Sequence, residues 1–319
     1  MNSSLLLENL SNPALLFFVL GIVSVVLKSD LKIPANSSKF ISLYLLFAIG
    51  FKGGQELSHE VFNGQMVWVM LTGIFISVAI PFYTFLILRK KLNVYDAGAT
   101  AAAYGSVSAV TFVTAVSYLE THHLPIHGYM VATMALMESP AIIVGLLLIS
   151  VFGKDIHQGI QKKEALKHSL TNGSVLLILG SLIIGYLANA KQAEGIKPFT
   201  NDLFKGFLAI FLLDMGISSG KKLTSFFSYG WFPIIFAAII PLVNGCLVGW
   251  VTGFFCEHSI DRFILAVLAA SASYIAVPAA MKISVPQANP GLYLPMTLAI
   301  TFPINITIGL PIYFGIVSM

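Results

Sequence analysis

The chain has 319 residues, 57% of them hydrophobic and only 10% charged, with a formal net charge of +4 and a mean hydropathy of +0.86. Soluble domains carry about 25% charged residues, so this composition excludes a soluble fold and places the chain in lipid. The small positive charge follows from membrane topology, as shown below, and does not point to nucleic acid.

A helix needs about 20 apolar residues to cross the hydrocarbon. On that measure the chain reads as an all-α integral membrane protein with ten transmembrane helices. Span one is 13–29. Glu8 precedes it with no Lys or Arg, so the basic region of a signal peptide is missing and the segment is read as a retained span. Spans two to five follow at 38–53, 64–88, 95–119 and 127–153. The long polar connection 154–170 carries Lys154, Lys162, Lys163 and Lys167 and reads as a linker between halves. Spans six to ten are 171–190, 201–218, 229–255, 260–284 and 290–317. Cys246 and Cys256 lie in apolar sequence and read as packed thiols.

The two halves, 1–153 and 171–319, read as copies. Gly105-Ser106-Val107-Ser108 in span four matches Ala270-Ser271-Ala272-Ser273 in span nine, 165 residues on. Asp96 matches Asp261 at the same offset, and Pro81 and Pro140 match Pro241 and Pro303 at offsets of 160 and 163. Gly50, Gly54 and Leu57 match Gly216, Gly220 and Leu223 at 166. Thirteen of the eighteen basic residues fall on the face holding connections 1–2, 3–4, 5–6, 7–8 and 9–10. The positive-inside rule makes that face cytoplasmic, with both termini outside. Five spans per half is an odd number, so the copies are expected in opposite orientations: a 5+5 inverted repeat.

Small polar residues at mid-membrane depth are costly unless they line something, and matched helix breaks are the mark of a secondary transporter. If spans four and nine unwind at their serines, two half-helices begin near the midplane. Their free N–H groups make an anion site without a buried cation. The expected anion contacts are Gly105, Ser106, Val107 and Ser108, with Ser271, Ala272, Ser273 and Tyr274. Oxygens of Ser106, Ser108, Thr111, Ser271 and Ser273 are candidate Na⁺ ligands, and Na⁺ is the expected coupling ion. Glu138 and its repeat partner Thr301 join them, because a carboxylate within a span costs at least about 2.5 kcal/mol and is functional by default. Asp214, near the cytoplasmic end of span seven, is a secondary candidate. Lys52 reads as an interfacial side chain that snorkels outward. His122, His123 and His127 cluster in connection 4–5 and read as a solvated loop. No Walker loop, His-Glu-x-x-His or Gly-x-Ser-x-Gly motif occurs, which argues against an ATP-driven pump and the common intramembrane hydrolases.

On these residues the chain resembles the family of the cyanobacterial sodium-dependent bicarbonate transporter. The matching stretches are "AIGFKGGQEL" (48–57), "YGSVSAVTFVTA" (104–115), "ALMESPAIIVGL" (135–146), "FLLDMGI" (211–217), "AASASYIAVPAAM" (269–281) and the run 285–315. The resemblance implies ten spans with two crossing broken helices, a homotrimer, Na⁺/bicarbonate symport and a PII-like regulatory partner on the cytoplasmic face. Two positions depart from the cyanobacterial pattern: Glu138 and Tyr274 each stand where that pattern has Asp. The central loop is also shorter here. The reading is a Na⁺-coupled symporter of a small anion, bicarbonate first, in the cell's inner membrane and not an enzyme. The alternatives are a cation/proton antiporter built on Glu138 and Asp214, and a non-transporting anion sensor.

Overall fold

The computed structural model describes residues 13–153, 173–226 and 229–318; the expected linker 154–170 lies outside them. All regular structure among the described residues is helical. In chain order the helices are α1 (Pro13–Val26), α2 (Ala35–His59), α3 (Gly64–Leu88), α4 (Val94–Gly105), α5 (Ala109–Thr121) and α6 (Tyr129–Phe152). After the linker come α7 (Gly173–Leu187), α8 (Ala190–Lys197), α9 (Phe204–Phe226), α10 (Trp231–Val251), α11 (Ser259–Ala270) and α12 (Ala276–Ser284). The last stretch runs through α13 (Pro290–Pro295), α14 (Phe302–Ile304) and α15 (Leu310–Val317), joined by π-turns at Met296–Thr301 and Asn305–Gly309.

Among the described residues six helical stretches are long and apolar enough to cross a membrane: Gly64–Leu88, Val94–Thr121, Tyr129–Phe152, Ala190–Lys222, Trp231–Phe254 and Pro290–Val317. The other four expected spans look different for physical reasons. Within the expected spans 13–29 and 171–190 the described residues form shorter apolar helices, α1 and α7. Residues 38–53 sit inside α2, whose two ends are polar. Residues 260–284 divide into the short helices α11 and α12.

The helices sort by packing. α1 lies along α9 and α2 along α7, the most extensive helix pairings among the described residues. α3, α4 and α6 pack together, as do α10, α11 and the last stretch. Glycine makes the first two pairings possible. A Cβ on Gly21 would lie 2.3 Å from the Leu213 carbonyl oxygen, and one on Gly216 2.1 Å from that of Phe18. A Cβ on Gly54 would lie 2.1 Å from the Leu182 oxygen. Backbones therefore touch backbones, the small-residue packing that serves helix pairs in lipid.

Expected spans four and nine are each discontinuous. α4 ends at Gly105, where a Cβ would stand 2.2 Å from the ring of Pro81 in α3. Ser106 and Ser108 are extended (ψ 168° and 109°), and Ser108 then caps α5 by accepting from the Thr111 N–H at 3.1 Å. In the second break Ser271 is extended (ψ 167°), and the Ser273 hydroxyl accepts from the Val277 N–H at 3.3 Å. Pro278 stands in the first turn of α12, where its missing N–H costs nothing. In the last stretch Pro295, Pro303 and Pro311 remove helical donors, and π-turns take up the misfit.

The glycine seams carry a prediction. Gly54→Ala forces α2 away from α7 and is expected to destabilise the protein by about 1–3 kcal/mol. Gly206→Ala in α9, where a Cβ meets nothing within 4 Å, is expected to be neutral or slightly stabilising. Thermal unfolding in detergent measures both, and equal melting temperatures for the two variants would refute the seam.

Candidate functional site

The two breaks cross and bond to each other. The backbone N–H of Ser108 donates to the Ser271 hydroxyl at 3.0 Å, and that of Ser273 donates to the Ala103 carbonyl at 2.8 Å. Each break supplies a donor to the other broken helix. Neighbouring side chains bond to further carbonyls. The Asn305 amide donates to the Ala270 carbonyl at 2.7 Å, and the Ser106 hydroxyl to the Glu138 carbonyl at 3.2 Å. Lipid supplies no partners, so irregular backbone at this depth needs such neighbours.

A cavity of about 30 Å³ lies at the crossing, room for roughly two water-sized occupants. Val107, Ser108, Ala109 and Val110 line it from the first break and the start of α5. Ser273, Tyr274, Ile275 and Ala276 line it from the second break and the start of α12. Both half-helix N-termini thus open onto one space, and their partial positive charges converge there. Met134 and Glu138 of α6, Ser42 and Leu46 of α2 and Ile178 of α7 complete the wall.

The expected site residues therefore divide. Val107, Ser108, Glu138, Ser273 and Tyr274 face the cavity. Gly105 supports α4 against Pro81, and Ser106, Thr111, Ser271 and Ala272 are buried in the wall behind the lining. Thr301 stands apart: its hydroxyl donates to the Ala237 carbonyl at 2.8 Å and meets the Tyr104 hydroxyl at 2.8 Å. Ser42, which sequence reading missed, is a serine near the start of an apolar span, and only tertiary packing brings it here.

A second cavity of about 500 Å³ opens toward the end of the bundle that carries Lys32, Lys39 and Lys221. Asp214 lines this vestibule and accepts a 2.5 Å hydrogen bond from Ser38. It does not line the cavity that Glu138 faces.

A family model described as the Na⁺-dependent bicarbonate transporter superfamily matches residues 13–318, nearly the whole chain. The chain belongs to that superfamily. No curated protein matches it. Membership makes this a multi-pass membrane transporter, and the helices of membrane-spanning length and apolarity agree.

At the end of the transporter opposite the vestibule the helices are tied by charge. Lys52 does not snorkel freely: its ammonium meets Glu120 of α5 at 2.5 Å and lies 5.6 Å from the Phe204 ring centroid. The pair spans a cleft of about 320 Å³ between α2 and α5. The histidines are not all solvated loop. His127 Nδ1 lies 2.8 Å from the fully buried Asp261 carboxylate, which also accepts from the Tyr129 hydroxyl. The Glu60 carboxylate at the end of α2 accepts from the Gly128 N–H at 2.7 Å. At the other end Asp96 accepts from the Asn289 N–H at 2.6 Å and the Asn93 amide at 2.7 Å. The two matched acids thus each grip the connection that follows the other broken helix. Among the described residues no His, Cys, Asp and Glu group is suited to a metal.

The hydrogen bond to Asp261 raises the His127 pKa above its ordinary 6.5. Partial burial opposes this, and the charges of Asp261, Glu60 and Glu56 add to the rise. A group with a raised folded-state pKa stabilises fully below its unfolded value and loses that contribution as pH rises through the folded one. The stability advantage of the wild type over His127→Gln should therefore be largest in mild acid and shrink above neutrality. Melting temperatures of both proteins across that range test it; a difference constant with pH would contradict the assignment.

Proposed function

We propose that this protein is a Na⁺-coupled symporter of a small anion, with bicarbonate the leading cargo. The observation that carries this is the convergence of two half-helix N-termini and one carboxylate, Glu138, on a single cavity. Helix N-termini suit an anion, and the carboxylate with serine hydroxyl and carbonyl oxygens suits a hard cation. The superfamily to which the chain belongs supports the same pair of ions.

The halves 1–153 and 171–319 are two five-helix copies inserted in opposite directions, joined by a cytoplasmic linker at 154–170, with both termini outside. The reciprocal bonds between the breaks, and the mirrored grips of Asp96 and Asp261, support that symmetry. The basic vestibule then faces the cytoplasm, and the Lys52–Glu120 pair spans the outer side. Coupling rests on linkage: Na⁺ in the cavity favours the anion, and the anion favours Na⁺ by the same factor. Two opposite charges together are less costly to desolvate than either alone, so the empty and the doubly loaded states are the ones that change orientation. The antiporter reading, which needs Glu138 and Asp214 to work together, is not favoured, because the two acids line different cavities.

The test is uptake of radiolabelled bicarbonate into proteoliposomes at fixed pH under an inward Na⁺ gradient. Accumulation is expected with Na⁺ and not with choline; uptake indifferent to that exchange would overturn the proposal. Ser273→Ala and Ser108→Ala are expected to abolish accumulation. Each also removes a helix cap worth about 1 kcal/mol, so their melting temperatures must be checked alongside. Glu138→Gln is expected to raise the Na⁺ concentration needed for half-maximal uptake while anion binding persists.

A further inference from the structure

The central cavity and the basic vestibule are separate spaces with a shared wall. Ser42, Tyr274 and Ile275 line both. Across that wall one side is a cavity of about 30 Å³ and the other a vestibule of about 500 Å³. Ser42 is small, and the Ile275 side chain is 49% exposed. Tyr274 is the bulk of the partition. It belongs to the 271–275 break, outside α11 and α12, so no helical ladder fixes its backbone. Its ring rests edge-on against Phe302, centroids 5.9 Å apart and planes at 69°. Its hydroxyl is buried close to Ser108. A large side chain on irregular backbone, packed edge-on against a single ring, can turn as that backbone shifts.

We propose that Tyr274 is the gate between the central cavity and the vestibule. Its ring closes the cavity around a small anion and Na⁺. It swings aside to release them toward the vestibule that Lys32, Lys39 and Lys221 line. The identity of the cargo rests on the symport reading above; the closure itself rests on the two cavities and the side chain between them. A gate made by the ring is retained by Tyr274→Phe and lost in Tyr274→Ala.

Thiol labelling of the full-length protein in proteoliposomes separates these cases without requiring transport. The chain has two cysteines, and Cys246→Ser with Cys256→Ser removes them. Ala109→Cys then places one thiol in the central cavity, and in a second protein Ser218→Cys places one in the vestibule. A membrane-impermeant sulfonatoethyl methanethiosulfonate is added on the side from which Ser218→Cys reacts. Ala109→Cys is expected to react slowly with Tyr274 or Tyr274→Phe present. With Tyr274→Ala it should react at least about tenfold faster, the gain expected when a minor open state becomes the dominant one. Tyr274→Leu, which keeps apolar contact with Phe302 but is shorter, should lie between and serves if the alanine variant fails to fold. Equal rates with tyrosine and the shorter side chains would overturn the gate, as would a phenylalanine variant that reacts like alanine. Failure of the symport reading looks different: no Na⁺-dependent bicarbonate uptake, with the difference in labelling still present.

Discussion

The structure depends on a pair of hydrogen bonds that tie each of two unwound stretches of chain to the other's broken helix. An unwound segment inside a membrane strands donors and acceptors that lipid cannot satisfy. Here Ser108 N–H reaches the Ser271 hydroxyl, and Ser273 N–H reaches the Ala103 carbonyl. Neither break is supported by its own helix alone. That mutual need fixes where α4, α5, α11 and α12 cross, and so where the two positive helix ends meet. The central cavity is a consequence of this crossing more than of any single residue that lines it.

Around the crossing, the surrounding helices divide the work. α1 against α9 and α2 against α7 are held at backbone contact by Gly21, Gly216 and Gly54. α3 braces the end of α4 through Pro81 and Gly105. Asn305, set on a π-turn of the last stretch, reaches the final carbonyl of α11. Polar side chains that look isolated in an apolar sequence are thus spent on the irregular backbone. Glu138 is left facing the cavity.

The breaks were legible because Ser-x-Ser among small residues, repeated at a fixed offset in two apolar spans, has few other physical readings. The helical class was legible from composition. The lining of the cavity was legible only in part. Ser42, Leu46, Met134 and Ile178 come from helices whose rotation no local pattern reveals. Repeat arithmetic paired Thr301 with Glu138, but the hydroxyl is engaged with Ala237 and Tyr104, because a π-turn changes which way that residue faces. Lys52 looked like a side chain bound for water, and its partner Glu120, 68 residues on, was invisible to any local rule.

Asp96 and Asp261 hold equivalent positions, yet their partners differ in kind. Asp96 is held by a backbone N–H and a side-chain amide, groups that neither gain nor lose a proton under ordinary conditions. Asp261 is held by an imidazole and a phenol. The two clasps thus differ in chemistry, and only the second is closed by a group, His127, that gains a proton near neutrality. Mild acidity therefore tightens the His127 clasp, and the end of the molecule that carries it responds to the medium it faces.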